Sequence, residues 1–295
     1  MMSLWDALRM NMMISYQELV RTFLNLTTMH SRLDLCAATV WSIINQSVQP
    51  DKINLWISNE PYLSDHGIYE IPAWVEELNK INNIVNVHYV KNTGPYRKII
   101  NAIINSEIDD ILVYADDDVI YGRQWLEFLL GQFYENNCNV AIAARIRIME
   151  RNIFNKYKSY SSYSISMKKD KFEKDFIITG VGGCVLSKRM IKPSIIGDDA
   201  YLIISPKTDD IWISKMLEAS NTKVESSPDA LRCVHEILHG YNTLSSINTL
   251  TSKNNGLIIK AIRMVKNKFY SYFGLQKTNN DKSIKMVNLH FNGKL

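Results

Sequence analysis

The chain has 295 residues, of which 46% are hydrophobic and 22% are charged. This is enough apolar material for one large hydrophobic core, or for a core with a small appendage, and it argues against extensive disorder. The formal net charge of +4 is mild and the 34 basic residues are spread along the chain. We therefore expect no nucleic-acid partner.

Cysteine spacing and the N-terminal segment both point to a cytoplasmic protein. The cysteines are Cys36, Cys138, Cys184 and Cys233. They are far apart and form no Cys-x-x-Cys pair, which favours reduced thiols. The first twenty residues contain acidic side chains and lack the basic start of a signal peptide. No stretch approaches the ~20 apolar residues of a membrane span, so we expect a cytoplasmic protein that is soluble or peripheral on the inner membrane.

In the first half of the chain, short apolar runs alternate with helical patterns. Strands are predicted at residues 21–27, 53–58, 85–90 and 111–114. Helices are predicted at residues 33–46, 74–79 and 96–105. The continuously apolar run ILVY at 111–114 is typical of the buried centre of a parallel sheet. The pattern predicts an α/β fold with a mainly parallel sheet flanked by helices.

The second half is less regular. A helix is predicted at residues 124–137, a strand at 140–147, and renewed order at 176–187. Residues 151–175 are rich in Lys, Ser and Tyr with little periodicity, which predicts a mobile surface excursion beside the site. A further helix begins at Asp209 with Trp212 among its inward-facing residues. After about residue 240 the sequence is polar and irregular, apart from one amphipathic segment at 257–273.

Three consecutive aspartates, Asp116, Asp117 and Asp118, come directly after the strand at 111–114. This position is the carboxyl edge of the sheet, where ligands bind in open α/β folds. Alternate carboxylates can hold one hard divalent cation, which neutralises a diphosphate. A single aspartate here would be explained by capping of a turn or helix, but three in a row favour a metal site.

A second acidic pair, Asp209 and Asp210, begins a predicted helix. Aspartate is favoured there by capping and by the helix dipole, and this structural explanation is sufficient for the pair alone. Together with the first cluster, the pair favours a carboxylate that accepts the proton of an attacking hydroxyl.

Glycines and cations accompany these acidic motifs. The run Gly180-Val181-Gly182-Gly183 could allow backbone to approach a sugar or phosphate, or form only a tight turn. Arg32, Arg97 and Lys98 lie near the predicted ligand edge and could pair with phosphate, although exposed cations are usually just solvated.

His235 and His239 are spaced i, i+4 and would share one face of a helix. They lack the HExxH order of a zinc protease. One of them could complete the coordination of the metal held by the aspartates, whereas at least one is expected to be structural.

Residues 257–273, LIIKAIRMVKNKFYSYF, place apolar side chains on one helical face and Lys260, Arg263 and Asn267 on the other. This basic amphipathic pattern fits the anionic surface of the inner membrane. It fits equally well a helix packed on the protein's own core.

Four ordered motifs resemble the bacterial GT-A-fold glycosyltransferases of the family 2 group, which act in capsule, O-antigen and lipopolysaccharide synthesis. They are the donor-binding opening LTTMHSR with SIINQSVQPDKINLWIS, the Asp-x-Asp motif in YADDDVIY, the glycine turn ITGVGGCVLS and the acidic base motif SPKTDDIW. The resemblance implies a GT-A domain at 1–240, with a Rossmann-like nucleotide-sugar half at about 21–120 and an acceptor half at about 121–240. Residues 241–295 would be a C-terminal extension.

The resemblance also implies a role for each matching residue. The donor-binding residues would be Thr28, Arg32, Asn59, Glu60, Lys98, Asp116 and Asp117. The acceptor-binding residues would be Gly182, Gly183, Asp209 and Trp212, and the metal ligands Asp116, Asp118 and His239. Asn59 and Glu60 depart from the commoner Asp-rich version of the family's base contact. Asp210 would be the catalytic base, assisted by Asp209.

The activity that these roles imply is an inverting sugar transfer from a nucleotide-sugar donor, dependent on manganese or magnesium. The acceptor would be a lipid-linked glycan or an oligosaccharide of a growing surface polymer. A sugar-phosphate nucleotidyltransferase is an alternative, but its Gly-rich loop with Arg and Lys after the first strand is absent. A haloacid-type phosphatase fails on its own motif at Ile120. A non-catalytic glycan-binding scaffold would not need Asp116, Asp118 and Asp210.

Overall fold

The computed structural model describes residues 20–237, 270–275 and 278–292. The strands are β1 (Thr22–Thr27), β2 (Lys52–Ile57), β3 (Val85–Tyr89), β4 (Ile111–Tyr114), β5 (Val119–Tyr121), β6 (Ala141–Ala143), β7 (Ile146–Ile148), β8 (Lys171–Phe172), β9 (Phe176–Ile178), β10 (Cys184–Ser187), β11 (Val224–Ser226) and β12 (Val234–Glu236). The helices are α1 (Leu33–Ile44), α2 (Ala73–Ile81), α3 (Arg97–Asn105), α4 (Trp125–Glu135), α5 (Pro193–Ile196), α6 (Tyr201–Ile204), α7 (Asp209–Ala219), α8 (Pro228–Arg232) and α9 (Asn279–Asn292).

One eight-stranded sheet organises the fold, in the order β3-β2-β1-β4-β10-β6-β11-β8. The first four strands in this order are parallel to one another, and β10 runs antiparallel to both β4 and β6. Strand β11 is parallel to β6, and the edge strand β8 is antiparallel to β11. This mainly parallel sheet flanked by helices confirms the predicted α/β architecture.

The core lies between this sheet and its helices. Every residue of β4 is buried, as its unbroken apolar sequence predicts for a central strand. Helix α3 buries Ile99, Ile100 and Ile103 and packs on β1, β2 and β4. Its N-terminus therefore lies at the carboxyl edge of the sheet, beside the end of β4.

The predicted strand at 140–147 is instead two strands that belong to different sheets. Strand β6 lies in the large sheet, whereas β7 pairs antiparallel with β9. Between them, the Ala144 amide donates to the Gly183 carbonyl at 3.2 Å and the Thr179 amide donates to the Arg145 carbonyl at 3.1 Å. These bonds hold the chain where it leaves the large sheet. The apolar run at 140–147 is therefore interrupted between β6 and β7 rather than forming one continuous strand.

Residues 151–175 carry little regular structure, as predicted, but they are bonded to the C-terminal part of the chain. The Ser159 amide donates to the Ser271 carbonyl at 2.8 Å, and the Tyr160 amide donates to Asp281 Oδ1 at 2.7 Å. Lys158 also pairs with Glu150, the residue just before the segment, at 2.6 Å. The segment is therefore packed rather than free.

Helix α9 packs on α7 through the buried side chains of Ile284, Val287 and Phe291. The rings of Phe291 and Trp212 lie 5.0 Å apart. The prediction of irregular structure after residue 240 is wrong for this helix, because its apolar positions complete the core beside α7. Most of the amphipathic segment at 257–273 lies outside the described residues.

All four cysteines are free, and Cys36 and Cys184 are buried. Within the described residues, no helix combines the length and the apolar character needed to cross a membrane.

Candidate active site

A cavity of about 500 Å³ opens at the carboxyl edge of the parallel strands. The chain reaches it from the ends of β1 and β4, the starts of α3 and α7, strand β7, and the region of Tyr160. Its acidic lining comprises Asp65, Asp116, Asp117, Asp118, Asp209, Asp210 and Glu236, and its basic lining Arg32, Arg97, Lys98, Arg145, Arg147 and Lys207. The two predicted acidic motifs thus meet in one pocket, although they are more than ninety residues apart.

The aspartate cluster occupies the turn between β4 and β5. Arg32 forms ion pairs with Asp117 and, at 2.8 Å, with Asp118. Burial raises the pKa of Asp117 to about 6, against the opposing charge of Arg32. The Asp116 amide donates to the Tyr121 hydroxyl at 3.2 Å, which ties the start of the turn to β5. Arg32 thus lines the cavity beside the aspartates, and its role as a donor contact stays a prediction.

Lys98 connects the two acidic motifs. Its buried Nζ lies 2.5 Å from Asp116 Oδ1 and 3.1 Å from Asp209 Oδ2. Burial lowers the pKa of Lys98, but the charges of Asp116, Asp209 and Asp210 outweigh this and raise it well above its usual value. The side chain is therefore a fixed ammonium ion between the turn after β4 and the first turn of α7.

Asp210 lines the cavity from the first turn of α7. Burial raises its pKa well above the usual value, and the negative charges of Asp209 and Asp116 raise it further. The Gly180 amide donates to Asp210 Oδ1 at 2.8 Å, and Ser214 Oγ donates to the Asp210 carbonyl at 2.6 Å. A carboxylate with a raised pKa, held by a backbone donor, has the character of a general base.

Gly180 is a site residue that the sequence patterns did not single out from its glycine run. A Cβ at this position would lie 2.5 Å from Asp116 Oδ1 and 2.9 Å from Lys98 Nζ. Only glycine allows its amide to reach Asp210 while Asp116 and Lys98 stay in contact. The signal was present as a glycine between two acidic motifs, but the spacing alone could not distinguish it from its neighbours.

Gly182 and Gly183 lie beneath the site but do not line the cavity. A Cβ on Gly182 would lie 2.7 Å from the Arg145 backbone nitrogen, and one on Gly183 would lie 2.3 Å from Trp125 Cζ2. Gly183 also has φ +76, which favours glycine. Close packing at both positions shapes the turn, and an acceptor contact at Gly182 and Gly183 stays a prediction.

A second group of residues in the cavity lining centres on Asp65 and Arg97. Arg97 Nη2 pairs with Asp65 Oδ2 at 3.1 Å and donates to the Thr28 carbonyl at 2.9 Å. Asp65 Oδ1 accepts the Gly67 amide at 3.1 Å. Thr28 lines the cavity here, as predicted for a donor contact. Asp65 was missed because it lies in a loop without periodicity.

The predicted base contacts Asn59 and Glu60 are exposed and lie outside the cavity lining. Glu60 Oε2 accepts the Asn92 amide at 3.3 Å and so helps to hold the loop. The carboxylate at this end of the cavity is Asp65, further along the same loop.

Trp212 lies on the inner face of α7, as predicted, whereas His235 differs from its predicted setting. Trp212 is fully buried and packs on Tyr201, His290 and Phe291, away from the cavity, because α7 turns that face toward α9. His235 lies in β12, opposite Ile120 of β5, so the predicted helical pair of histidines is wrong at this residue. His239, the predicted metal ligand, lies outside the described residues.

The chemistry of the aspartate turn fits a divalent cation that is coordinated partly by these carboxylates and partly by the phosphate oxygens of a bound ligand. The side chains of Asp116 and Asp118 are 30% and 22% exposed, and both line the cavity. Within residues 20–237, 270–275 and 278–292, no group of three or more His, Cys, Asp or Glu side chains is placed to hold a metal alone. Magnesium-type sites often use one or two carboxylates and complete their coordination with phosphate oxygens, which is the arrangement that these residues allow.

Comparisons with known proteins give a family match and similarities to solved structures. Residues 26–196 match the model of Glycosyl transferase family 2. A crystal structure of S. aureus TarS, residues 1–349, shares 11% sequence identity with the chain at a TM-score of 0.45. The likeness covers 71% of this chain and 58% of the TarS chain, so it spans less than two thirds of that structure. No curated protein matches the chain.

Proposed function

We propose that this chain, which belongs to glycosyl transferase family 2, is an inverting, metal-dependent glycosyltransferase that extends a surface glycan. Membership of the family makes the chain a glycosyltransferase that uses a nucleotide sugar. The observation that carries the finer proposal is Lys98, which holds Asp116 of the first acidic motif and Asp209 of the second within one cavity. A metal-binding turn and a base then lie close enough to act on the same sugar.

In this proposal the donor lies along the floor of the cavity. The nucleoside lies at the end formed by Asp65, Arg97 and Thr28, where polar groups are already fixed in place. Asp116 and Asp118 would hold a manganese or magnesium ion, which when bound supplies Lewis-acid stabilisation of the departing diphosphate. Asp117, buried against Arg32, orients the donor sugar or ribose.

Asp210 performs the proton transfer. It accepts the proton of the acceptor hydroxyl as that oxygen forms a bond to the anomeric carbon of the donor sugar. The bond between this carbon and the diphosphate oxygen breaks in the same step, and the nucleoside diphosphate leaves with the electron pair. Because the acceptor attacks directly, no covalent intermediate with the enzyme forms and the anomeric configuration inverts. The Gly180 amide keeps the base in position.

The biological setting that we propose is synthesis of a capsule, O-antigen or lipopolysaccharide on the cytoplasmic side of the inner membrane. The acceptor is a lipid-linked glycan or an oligosaccharide. The basic amphipathic pattern at 257–273 supports contact with the membrane surface.

Donor turnover tests this proposal. Purified protein is screened with UDP-, GDP- and dTDP-sugars and manganese for thermal stabilisation, and then for metal-dependent release of the nucleoside diphosphate. Asp118→Ala should abolish the release. Asp109→Ala, which removes an exposed carboxylate paired with Arg189, is the matched control and should retain it. A wild-type protein that neither binds nor hydrolyses any nucleotide sugar would instead be a non-catalytic glycan-binding subunit.

A further inference from the structure

The cavity wall near Asp210 carries three cations, Arg145, Arg147 and Lys207. Arg145 and Asp210 are held by consecutive amides at the end of β9. The Thr179 amide donates to the Arg145 carbonyl at 3.1 Å, and the Gly180 amide donates to Asp210 Oδ1 at 2.8 Å. The start of this basic group is therefore fixed beside the base.

Tyr160 connects the rest of the group to the same place. The Arg147 guanidinium carbon lies 5.0 Å from the centre of the Tyr160 ring. Burial raises the pKa of Tyr160, the charge of Asp210 raises it further, and the charges of Arg147 and Arg145 oppose them. Arg147, Tyr160 and Asp210 all line the same cavity, so Arg147 and Asp210 border one volume.

The charges of these cations are less well compensated than those elsewhere in the cavity. Arg32, Arg97 and Lys98 each pair with an aspartate. Arg145 pairs with Glu236 at 2.7 Å. By contrast, Arg147 and Lys207 form no ion pair within the part of the chain that the structure describes.

Buried guanidinium atoms without an acceptor occur in both sets of cations, and Arg32 Nε and Arg97 Nη1 are among them. The Nε atoms of Arg145 and Arg147 are buried and have no hydrogen-bond partner among the described residues. A buried donor without a partner costs free energy, because it has lost its water and gained nothing in return. The guanidinium group presents its N–H donors as a planar fork that matches phosphate and carboxylate oxygens. A bound oxyanion would balance the charges of Arg147 and Lys207.

We propose that Arg147 and Lys207, with Arg145 beside them, form a subsite for an oxyanion on the acceptor. The acceptor of this enzyme is then a glycan that carries phosphate or carboxylate, rather than a neutral sugar. Phosphate could come from a linking phosphodiester or a lipid diphosphate, and carboxylate from an acidic sugar. The inference rests on the proposed function, because Asp210 defines which end of the cavity receives the acceptor.

The test uses protein whose donor site is filled with a nucleoside diphosphate and manganese, so that added anions cannot bind there. Thermal stability is then titrated with inorganic phosphate, methyl glucuronide and methyl glucoside at constant ionic strength. We expect saturable stabilisation by at least one of the two anions and none by the neutral glucoside. The anion that binds better identifies the source of the charge.

Variants locate the binding site of the anion. Arg147→Gln and Lys207→Gln should each raise the midpoint concentration of the anion about tenfold, because each removes a charge-assisted contact. Arg189→Gln removes a cation outside the cavity and should leave the midpoint unchanged. The melting temperature of each variant without ligand identifies any loss of folding.

Three results would overturn the subsite. The first is that neither anion stabilises the wild type in a saturable way. The second is that the midpoint concentration of the anion is unchanged in both variants. The third is that Arg147→Gln binds the nucleoside diphosphate more weakly, which would assign this cation to the donor. If the wild type bound no nucleotide at all, the proposed function itself would fail. The same anion titration without nucleotide would still measure the dependence on Arg147 and Lys207.

Discussion

The two ends of the cavity differ in how their charges are balanced. At the nucleoside end, Arg97 is almost completely buried but pairs with Asp65 and donates to the Thr28 carbonyl. At the acceptor end, Arg147 and Lys207 have no carboxylate partner within the described residues. In the proposed function, a carboxylate partner fixes Arg97 at the nucleoside end, whereas the charges of Arg147 and Lys207 are left for a ligand to balance.

The largest expected effect follows from removing the counter-ion of Arg97. Asp65→Ala leaves Arg97 buried without its counter-ion, which should lower the free energy of unfolding by about 3–5 kcal/mol. Urea denaturation measures this loss. Arg147→Gln removes a charge that has no carboxylate partner within the described residues. Its Nη1 donates to the Tyr163 carbonyl at 3.1 Å, so the same quantity should change by about 1 kcal/mol or less, the net contribution of one hydrogen bond. Equal losses in the two variants would refute the contrast between the ends.

The next effect concerns Gly180, which lies between the two acidic motifs. Gly180→Ala introduces a Cβ that would lie 2.5 Å from Asp116 Oδ1, so either the Asp210 contact or the Lys98 contact must shift. A displacement of about 1 Å at reacting groups can cost about 10²-fold in rate, and we expect a loss of that size in sugar transfer.

A matched control for this change is Gly131→Ala, since a Cβ there meets nothing within 4 Å. Gly131 lies within α4, so alanine should retain activity and stabilise the protein by about 1 kcal/mol. Similar transfer rates in the two alanine variants would show that Gly180 is not needed for close approach.

The smallest effect is a shift in pH dependence. Asp210 must be ionised to accept a proton, and its raised pKa means that transfer rises with pH well above the range of an ordinary aspartate. Asp209→Asn removes a neighbouring negative charge, which should lower the pKa of Asp210 and move the acidic limb of kcat/KM to lower pH. An acidic limb that stays in place, or moves to higher pH, would contradict this coupling.

Sequence patterns predicted the regular parts of this molecule well. The β1 to β4 half follows its alternation of apolar runs and helices, and ILVY at 111–114 is the buried central strand that its composition indicates. The two acidic motifs were also predicted to form one site. One motif follows a strand and the other begins a helix, and both of these positions lie at the carboxyl edge of the sheet. Local sequence patterns were therefore sufficient to place the two motifs together.

The remaining features depend on contacts that local patterns do not encode. Asp65 belongs to the site because a loop folds back to Arg97, and Gly180 differs from Gly182 only in what surrounds it. Helix α9 was missed because its apolar positions become meaningful only against Trp212 of α7. The break between β6 and β7 likewise results from bonds to distant residues.

A paired measurement on Asp210→Asn tests most directly whether Asp210 is the general base. The dissociation constant for the donor and the rate of sugar transfer are determined on the same preparation, with the metal present at saturation. Donor affinity should be close to that of the wild type. The rate of sugar transfer should fall by about 10²–10⁴-fold, the usual contribution of a general base. Transfer at the wild-type rate would show that Asp210 is not the base.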